Sequence, residues 1–299
     1  MSSLEFTTLD VFTTKRFVGN PLAIVHVPTE AAQSLSQEEK QLIAREFNLS
    51  ETVFLHERLP NTSHVFPLDI FTTFQELPFA GHPTIGAGSF LLSKYPDLAT
   101  ITLRTKAGDI PVIREGNGVK LQIPFDFKVH APVPRSLFDW KSSQSLEAED
   151  YVEGLDAPIP IASIVKGMTF FLPQLSSEDA LARLSTFPNR PSLPKDYLAE
   201  WEGAKALYAF VEKEDGTFRT RMFESTWEDP ATGSAASTLA GYLALKKGPG
   251  LWRFEITQGV EIGRKSEILV IADVGADGQI QGIELSGSAV KVMSGELEV

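Results

Sequence analysis

Leu4 to Phe12 alternates apolar and polar positions in β-forming residues and predicts a strand. Leu22 to Val27 reads as its partner, across a turn at Gly19-Asn20-Pro21. The spacing then changes. Ser36 to Phe47 carries apolar Leu42, Ile43 and Phe47 on one helical face, with Ser36 as N-cap and Glu39 as its capping-box partner. Strands are predicted over Thr52–His56, Val65–Phe74, Ile101–Arg104, Ile110–Arg114 and Lys120–Ile123, with Gly116-Asn117-Gly118 as a hairpin turn before the last. Thr84 to Lys94 reads as a helix between them. Later come strands over Ala162–Leu172, Lys205–Val211, Phe218–Glu224, Phe254–Thr257, Ile268–Ala272, Ile283–Leu285 and Val290–Met293. Helices are predicted over Ser176–Leu184, capped by Ser176 or Ser177, and Gly233–Lys246.

Strands and helices do not alternate regularly, hairpins are frequent, and each half has one prominent helix. That pattern predicts an α+β fold, with each sheet wrapped around its own helix. The stretch 129–160 is rich in Pro and Ser and less regular, so it is the best candidate for a link. It divides the chain into halves of 1–128 and 129–285.

The two halves share a turn. Glu76-Leu77-Pro78-Phe79-Ala80-Gly81-His82 is matched, 152 positions on, by Glu228-Asp229-Pro230-Ala231-Thr232-Gly233-Ser234. Phe71 falls on Phe223 and Lys94 on Lys246 at the same offset, which suggests internal duplication. The turn has a physical use. Proline fixes the approach, glycine permits close backbone contact, and the helix that follows starts with free N–H groups and partial positive charge. Such a start binds anions. Two of them, one from each pseudo-symmetric half, are expected to face one cleft and hold a small carboxylate without any Arg or Lys.

Composition narrows the chemistry. The 299 residues carry a net charge of −12, so a nucleic-acid partner is not expected. There is no cysteine, which excludes disulfides, zinc–thiolate sites and thiol nucleophiles. No stretch nears the roughly 20 apolar residues of a membrane span, and the start lacks signal-peptide character. These features predict a soluble, cytoplasmic protein. No metal-ligand spacing and no phosphate-binding glycine motif is present, so neither metal nor cofactor is expected.

His82 stands at the first helix start. A lone histidine is usually a satisfied polar residue, but this position favours function, with the neighbouring N-terminus disfavouring the imidazolium. Ser234 is its counterpart and either caps the second helix or touches a ligand. Asp229 stands where the first copy has Leu77, a carboxylate in one half only, as an asymmetric substrate requires. Glu76 and Glu228 read as turn stabilisers. Spacing alone does not separate Glu51 from Glu46 or Glu57.

The combination Gly19–Val25 (GNPLAIV), Asn48–Phe54 (NLSETVF), Glu76–Ala87 (ELPFAGHPTIGA) and Asp229–Ala236 (DPATGSAA) resembles the PhzF family of phenazine-biosynthesis-like proteins, in order and over essentially the whole chain. The resemblance implies the diaminopimelate epimerase-like fold: two pseudo-symmetric halves, each a curled mixed or antiparallel sheet around a central helix, with segment 286–299 returning to the first half. It implies Glu51 as the single catalytic acid/base, His82 and Asp229 as its catalytic companions, and Ser234, Gly81, Gly233 and Asn20 as substrate contacts. The family's founding enzyme moves a proton on a dihydro-hydroxyanthranilate without a cofactor, and its members are often homodimers. Related epimerases use two opposed cysteines, a mechanism closed to this chain. The expectation is thus a cofactor-independent isomerase for a small amino acid-like or cyclic carboxylate. An epimerase or lyase on the same fold, and a non-catalytic binder, are the alternatives. Partial burial is expected to raise the Glu51 pKa toward neutrality.

Overall fold

The computed structural model describes residues 3–32, 34–58, 64–134, 146–154, 156–186 and 193–299. It divides into two units, residues 1–123 with 284–299, and residues 124–283.

The first unit opens with the hairpin β1 (Ser3–Val11) and β2 (Asn20–Val27). Helix α1 (Gln37–Phe47) leads to β3 (Thr52–His56), which runs parallel to β2. Then come β4 (Val65–Phe71), the short β5 (Glu76–Leu77), α2 (Gly81–Lys94), and the strands β6 (Thr100–Thr105), β7 (Gly108–Glu115) and β8 (Gly118–Gln122). The second unit contains β9 (Lys128–Val133), β10 (Ile159–Val165), β11 (Met168–Phe171), α3 (Glu178–Ala182), β12 (Ala204–Glu212), β13 (Phe218–Glu224), β14 (Trp227–Asp229), α4 (Gly233–Lys247), β15 (Gly250–Gln258) and β16 (Ser266–Val274). The chain closes with β17 (Ile280–Gly287) and β18 (Ala289–Glu298), the latter paired antiparallel with β1 and so returned to the first unit.

The wiring repeats. From β1 to β7 the pairings run antiparallel β1–β2, parallel β2–β3, antiparallel β3–β4 and β4–β5, parallel β4–β6, antiparallel β6–β7. From β10 to β16 the same order of parallel and antiparallel pairs recurs. At the turn the match is residue by residue: Ile70 faces Leu77 and Phe71 faces Glu76, while Met222 faces Asp229 and Phe223 faces Glu228, each pair displaced by 152. This is the α+β architecture of two pseudo-symmetric halves, each with a curled sheet around one helix.

Packing explains the central helices. Helix α2 is buried from Gly81 through Gly88, so it has no solvent face over its first two turns. A side chain at Gly86 would run into Leu22, and one at Gly88 would meet Val112 at 2.6 Å, so only glycine lets the helix lie this close to the sheet. In α4, Gly241 makes the same allowance for the ring of Phe127. A second layer closes the other face of each sheet. In the first unit Ile43 and Ala44 of α1 join Leu4, Val25, Phe54 and Phe71. In the second, Ala180 and Leu181 of α3 join Ile161, Phe171, Leu207 and Phe223.

Several local expectations shift. Helix α1 carries the predicted capping box, with Ser36 Oγ accepting from the Glu39 N–H and the Glu39 carboxylate accepting from the Ser36 N–H at 2.7 Å. Its inward face differs: Leu42 is 55% exposed and Lys40 is buried. Lys40 Nζ donates to Asp69 Oδ2 at 2.6 Å, a partner that makes burial of a lysine tolerable. The predicted strand Ala162–Leu172 is a hairpin of β10 and β11 with Gly167 at positive φ in its turn. The start of the irregular 129–160 stretch is the paired strand β9. Residues 135–145 and 155 of that stretch lie outside the described residues. Among the described residues no helix is long and apolar enough to cross a membrane.

Candidate active site

Helix α2 begins at Gly81, earlier than its periodic residues suggest, because Pro83 is tolerated in a first turn where N–H groups lack intrahelical partners anyway. Its N-cap, Ala80, supplies no side-chain cap. The preceding turn is held by the Ala107 N–H donating to the Pro78 carbonyl at 3.1 Å, and by an ion pair of Lys106 with Glu76. Glu76 therefore stabilises the turn.

Glu51 reaches this helix start. Asn48 ends α1 in the left-handed region at φ 50°, which turns the chain sharply, and Glu51 stands immediately before β3. Its carboxylate Oε2 lies 3.0 Å from His82 Nδ1. His82 is 4% exposed, and Glu51 keeps 19% of its side-chain surface. The other imidazole nitrogen, Nε2, is buried and has no hydrogen-bond partner among the described residues. With Nδ1–H donated to Glu51, Nε2 remains for a further partner. Asn20 belongs to the same end of the sheet. Strands β2 and β3 run parallel with Ala23 opposite Thr52, so Asn20 and Glu51 both lie just before that pairing, and Asn20 is buried. Glu46 and Glu57 are both exposed, and Glu57 is spent on Thr29.

Burial pushes the Glu51 carboxyl upward, but the hydrogen bond and charge of His82, with a smaller pull from the Ser50 side chain, together pull harder in the opposite direction. The result lies below the usual carboxylate range. This corrects the expectation of a pKa raised toward neutrality. At neutral pH Glu51 rests as a carboxylate, a base ready for a proton.

The second unit builds its helix start differently. Asp229, 6% exposed, ends β14. Thr232 is the N-cap residue of α4, but its hydroxyl does not cap the helix. It donates instead to Asp229 Oδ2 at 2.5 Å. Gly233 and Ser234 are the first two residues of α4. Ser234 lies inside the helix and is not its cap, which removes the capping alternative. Glu228 accepts both forks of Arg221, at 2.8 and 2.6 Å, and Arg221 also donates to the carbonyls of Leu181, Ala182 and Leu184. Glu228 is thus the counterpart of Glu76 as a turn stabiliser.

Sequence reasoning missed what stands behind Asp229. Gln258, fully buried, donates to the Asp229 carbonyl at 2.8 Å and to Thr232 Oγ1 at 3.1 Å. Its carbonyl oxygen accepts from the Thr232 N–H at 3.2 Å and from Tyr208 at 3.1 Å. Burial raises the Tyr208 phenol far above its ordinary range. The Thr220 hydrogen bond opposes that shift and the Asp229 charge adds to it, so the phenol stays protonated. No short-range signal in the sequence joins Gln258 to Asp229. Among the described residues no cluster of His, Asp and Glu could hold a metal ion.

Comparison with known proteins follows the same lines. The family model described as "Phenazine biosynthesis-like protein" matches residues 9–295. An uncharacterized isomerase of Pasteurella multocida is 36% identical over 100% of this chain and 96% of its own length. The trans-2,3-dihydro-3-hydroxyanthranilate isomerase of Pseudomonas aeruginosa is 30% identical over 97% of this chain and 98% of its own. Among solved structures, the Bacillus anthracis phenazine biosynthesis protein of the PhzF family superposes with a TM-score of 0.77 at 24% identity, covering 100% of both chains.

Proposed function

The chain belongs to the phenazine biosynthesis-like protein family, and from that premise we propose that it is a cofactor-independent isomerase. It moves a proton on a small carboxylate, amino acid-like or cyclic, with Glu51 as acid and base. The observation that supports this reading is the 3.0 Å contact of Glu51 with His82 at the start of α2. An ionised Glu51 takes a proton from a carbon beside an electron-withdrawing group. Backbone N–H groups at the helix start that carries Gly81 and His82 stabilise the anion that develops. Once protonated, a carboxyl with a depressed pKa is a strong acid, so it returns the proton readily to another carbon on the same face. His82 orients the carboxylate through Nδ1 and keeps Nε2 for a substrate hydroxyl or amine. Asp229, Ser234 and Asn20 are the remaining substrate contacts.

The test is a substrate panel in deuterium oxide, read by NMR and mass spectrometry. It contains trans-2,3-dihydro-3-hydroxyanthranilate, the compound named for the Pseudomonas relative, and a set of cyclic amino acids. Conversion of one compound to a double-bond or proton-position isomer supports the reading. Inversion at one carbon with solvent deuterium makes the chain an epimerase, release of water or ammonia makes it a lyase, and binding without turnover makes it a binder. Each of these three results overturns it.

A further inference from the structure

We propose that Thr232 and Gln258 are positioning residues that hold Asp229 as a hydrogen-bond acceptor, through a one-way chain of side-chain donors seen, among the described residues, only in the second half of the molecule. The inference rests on the reading of Asp229 as a substrate contact.

The direction of the chain follows from its backbone partners. A glutamine amide can be placed either way round, but here both ends are dictated. The Thr232 N–H can only donate, so the atom facing it at 3.2 Å is the Gln258 oxygen. The Asp229 carbonyl can only accept, so the atom facing it at 2.8 Å is the Gln258 nitrogen. The second amide hydrogen then points at Thr232 Oγ1, 3.1 Å away. That hydroxyl, already accepting, donates its own hydrogen to Asp229 Oδ2 at 2.5 Å. Upstream, Tyr208 donates to the Gln258 oxygen at 3.1 Å and Thr220 donates to Tyr208 at 3.0 Å. The side-chain donors from Thr220 through Tyr208, Gln258 and Thr232 run toward Asp229, and the Thr232 N–H alone points back at Gln258. Gln258 thereby uses all four hydrogen-bonding positions of its amide while fully buried.

Among the described residues the first half shows no such chain. Asp229 and Thr232 correspond to Leu77 and Ala80 at the 152-residue offset. The strand register that pairs Arg219 with Thr257 and Pro67 with Arg104 makes Thr105 the counterpart of Gln258, its hydroxyl donating to the Gly108 carbonyl. The carboxylate of Asp229 and the hydroxyl of Thr232 that meets it are thus both absent from the first copy. On the neighbouring elements the titratable and charged groups are Tyr208 of β12, the Arg221–Glu228 pair of β13 and β14, and beyond it Arg219 and Glu261, which pair at 2.9 Å.

The experiment is an NMR titration of protein labelled with ¹³C at aspartate side-chain carboxyls, with the Asp229 signal assigned by its loss in Asp229→Asn. Thr232→Val keeps the shape and removes the hydroxyl. It is expected to raise the Asp229 midpoint by about one pH unit, since a hydrogen bond to the charged form is lost. Thr232→Ser restores the donor and is expected to bring the midpoint back toward wild type. Thr232→Ala serves if the valine variant fails to fold. A midpoint unmoved in the hydroxyl-less variant, or a serine variant that behaves like valine, overturns the proposal. Turnover of trans-2,3-dihydro-3-hydroxyanthranilate is measured on the same samples. If Asp229→Asn retains full activity, the reading of Asp229 as a substrate contact fails, while the titration still decides the hydrogen-bond chain.

Discussion

Replacing His82 with leucine should raise the Glu51 pKa and so take away stability that its carboxylate contributes near neutral pH. In the native protein the Glu51 carboxyl is pushed up by burial and pulled further down by the His82 hydrogen bond and charge together with a smaller pull from the Ser50 side chain. A group whose folded pKa is depressed contributes stability that is present above its unfolded value and lost as pH falls through the folded one. Removing the imidazole leaves burial opposed only by the Ser50 side chain, and the folded pKa rises. A charge-assisted hydrogen bond contributes about 1.5–3 kcal/mol. The assay is urea unfolding of both proteins at several points between about pH 3 and pH 5.5, a window that spans carboxylate titration and stays below the ordinary imidazole range. Leucine fills most of the space, and any packing cost it brings does not vary with pH. The stability gap between wild type and His82→Leu is expected to widen by about 1.5–3 kcal/mol from the acid end to the upper end. A gap that stays constant, or that widens toward acid, refutes the assignment of His82 as the group that keeps Glu51 ionised.

Three further outcomes test the scaffold. Arg221→Lys keeps the charge but loses the bidentate grip on Glu228 and the donations to three carbonyls, so thermal or urea unfolding should show a loss of about 3 kcal/mol. Gly241→Ala places a Cβ 2.5 Å from the Phe127 ring and is expected to cost about 1–3 kcal/mol by overpacking, checked by the same unfolding assay. Ser36→Ala breaks the capping box of α1 and should cost about 1 kcal/mol, with catalysis unaffected.

How much of this was legible depended on the range of the interaction. The two helix starts could be read because Pro and Gly punctuate them locally, and the 152-residue repeat could be read because both copies carry the same punctuation. The inward face of α1 could not. Periodicity favoured Leu42, but Asp69, 29 residues away, gives Lys40 a partner and turns it inward. The single strand expected over Ala162–Leu172 hid a tight turn at Gly167 between two apolar runs. At the site, the position of His82 was legible, while its bond to Glu51 joins residues 31 apart. Without that bond, burial gave the wrong direction for the Glu51 pKa. Gln258 lies 26 residues from Thr232 and reached it only when β15 was placed beside β13.

The central claim is that Glu51 moves the proton. The most direct measurement is deuterium incorporation in deuterium oxide by wild type and Glu51→Gln, with trans-2,3-dihydro-3-hydroxyanthranilate and the cyclic amino acid panel as substrates. The account predicts that wild type labels or converts one compound and that Glu51→Gln, folded to the same stability, is slower by about 100-fold or more. Equal labelling by the two proteins would contradict it and take the base away from Glu51.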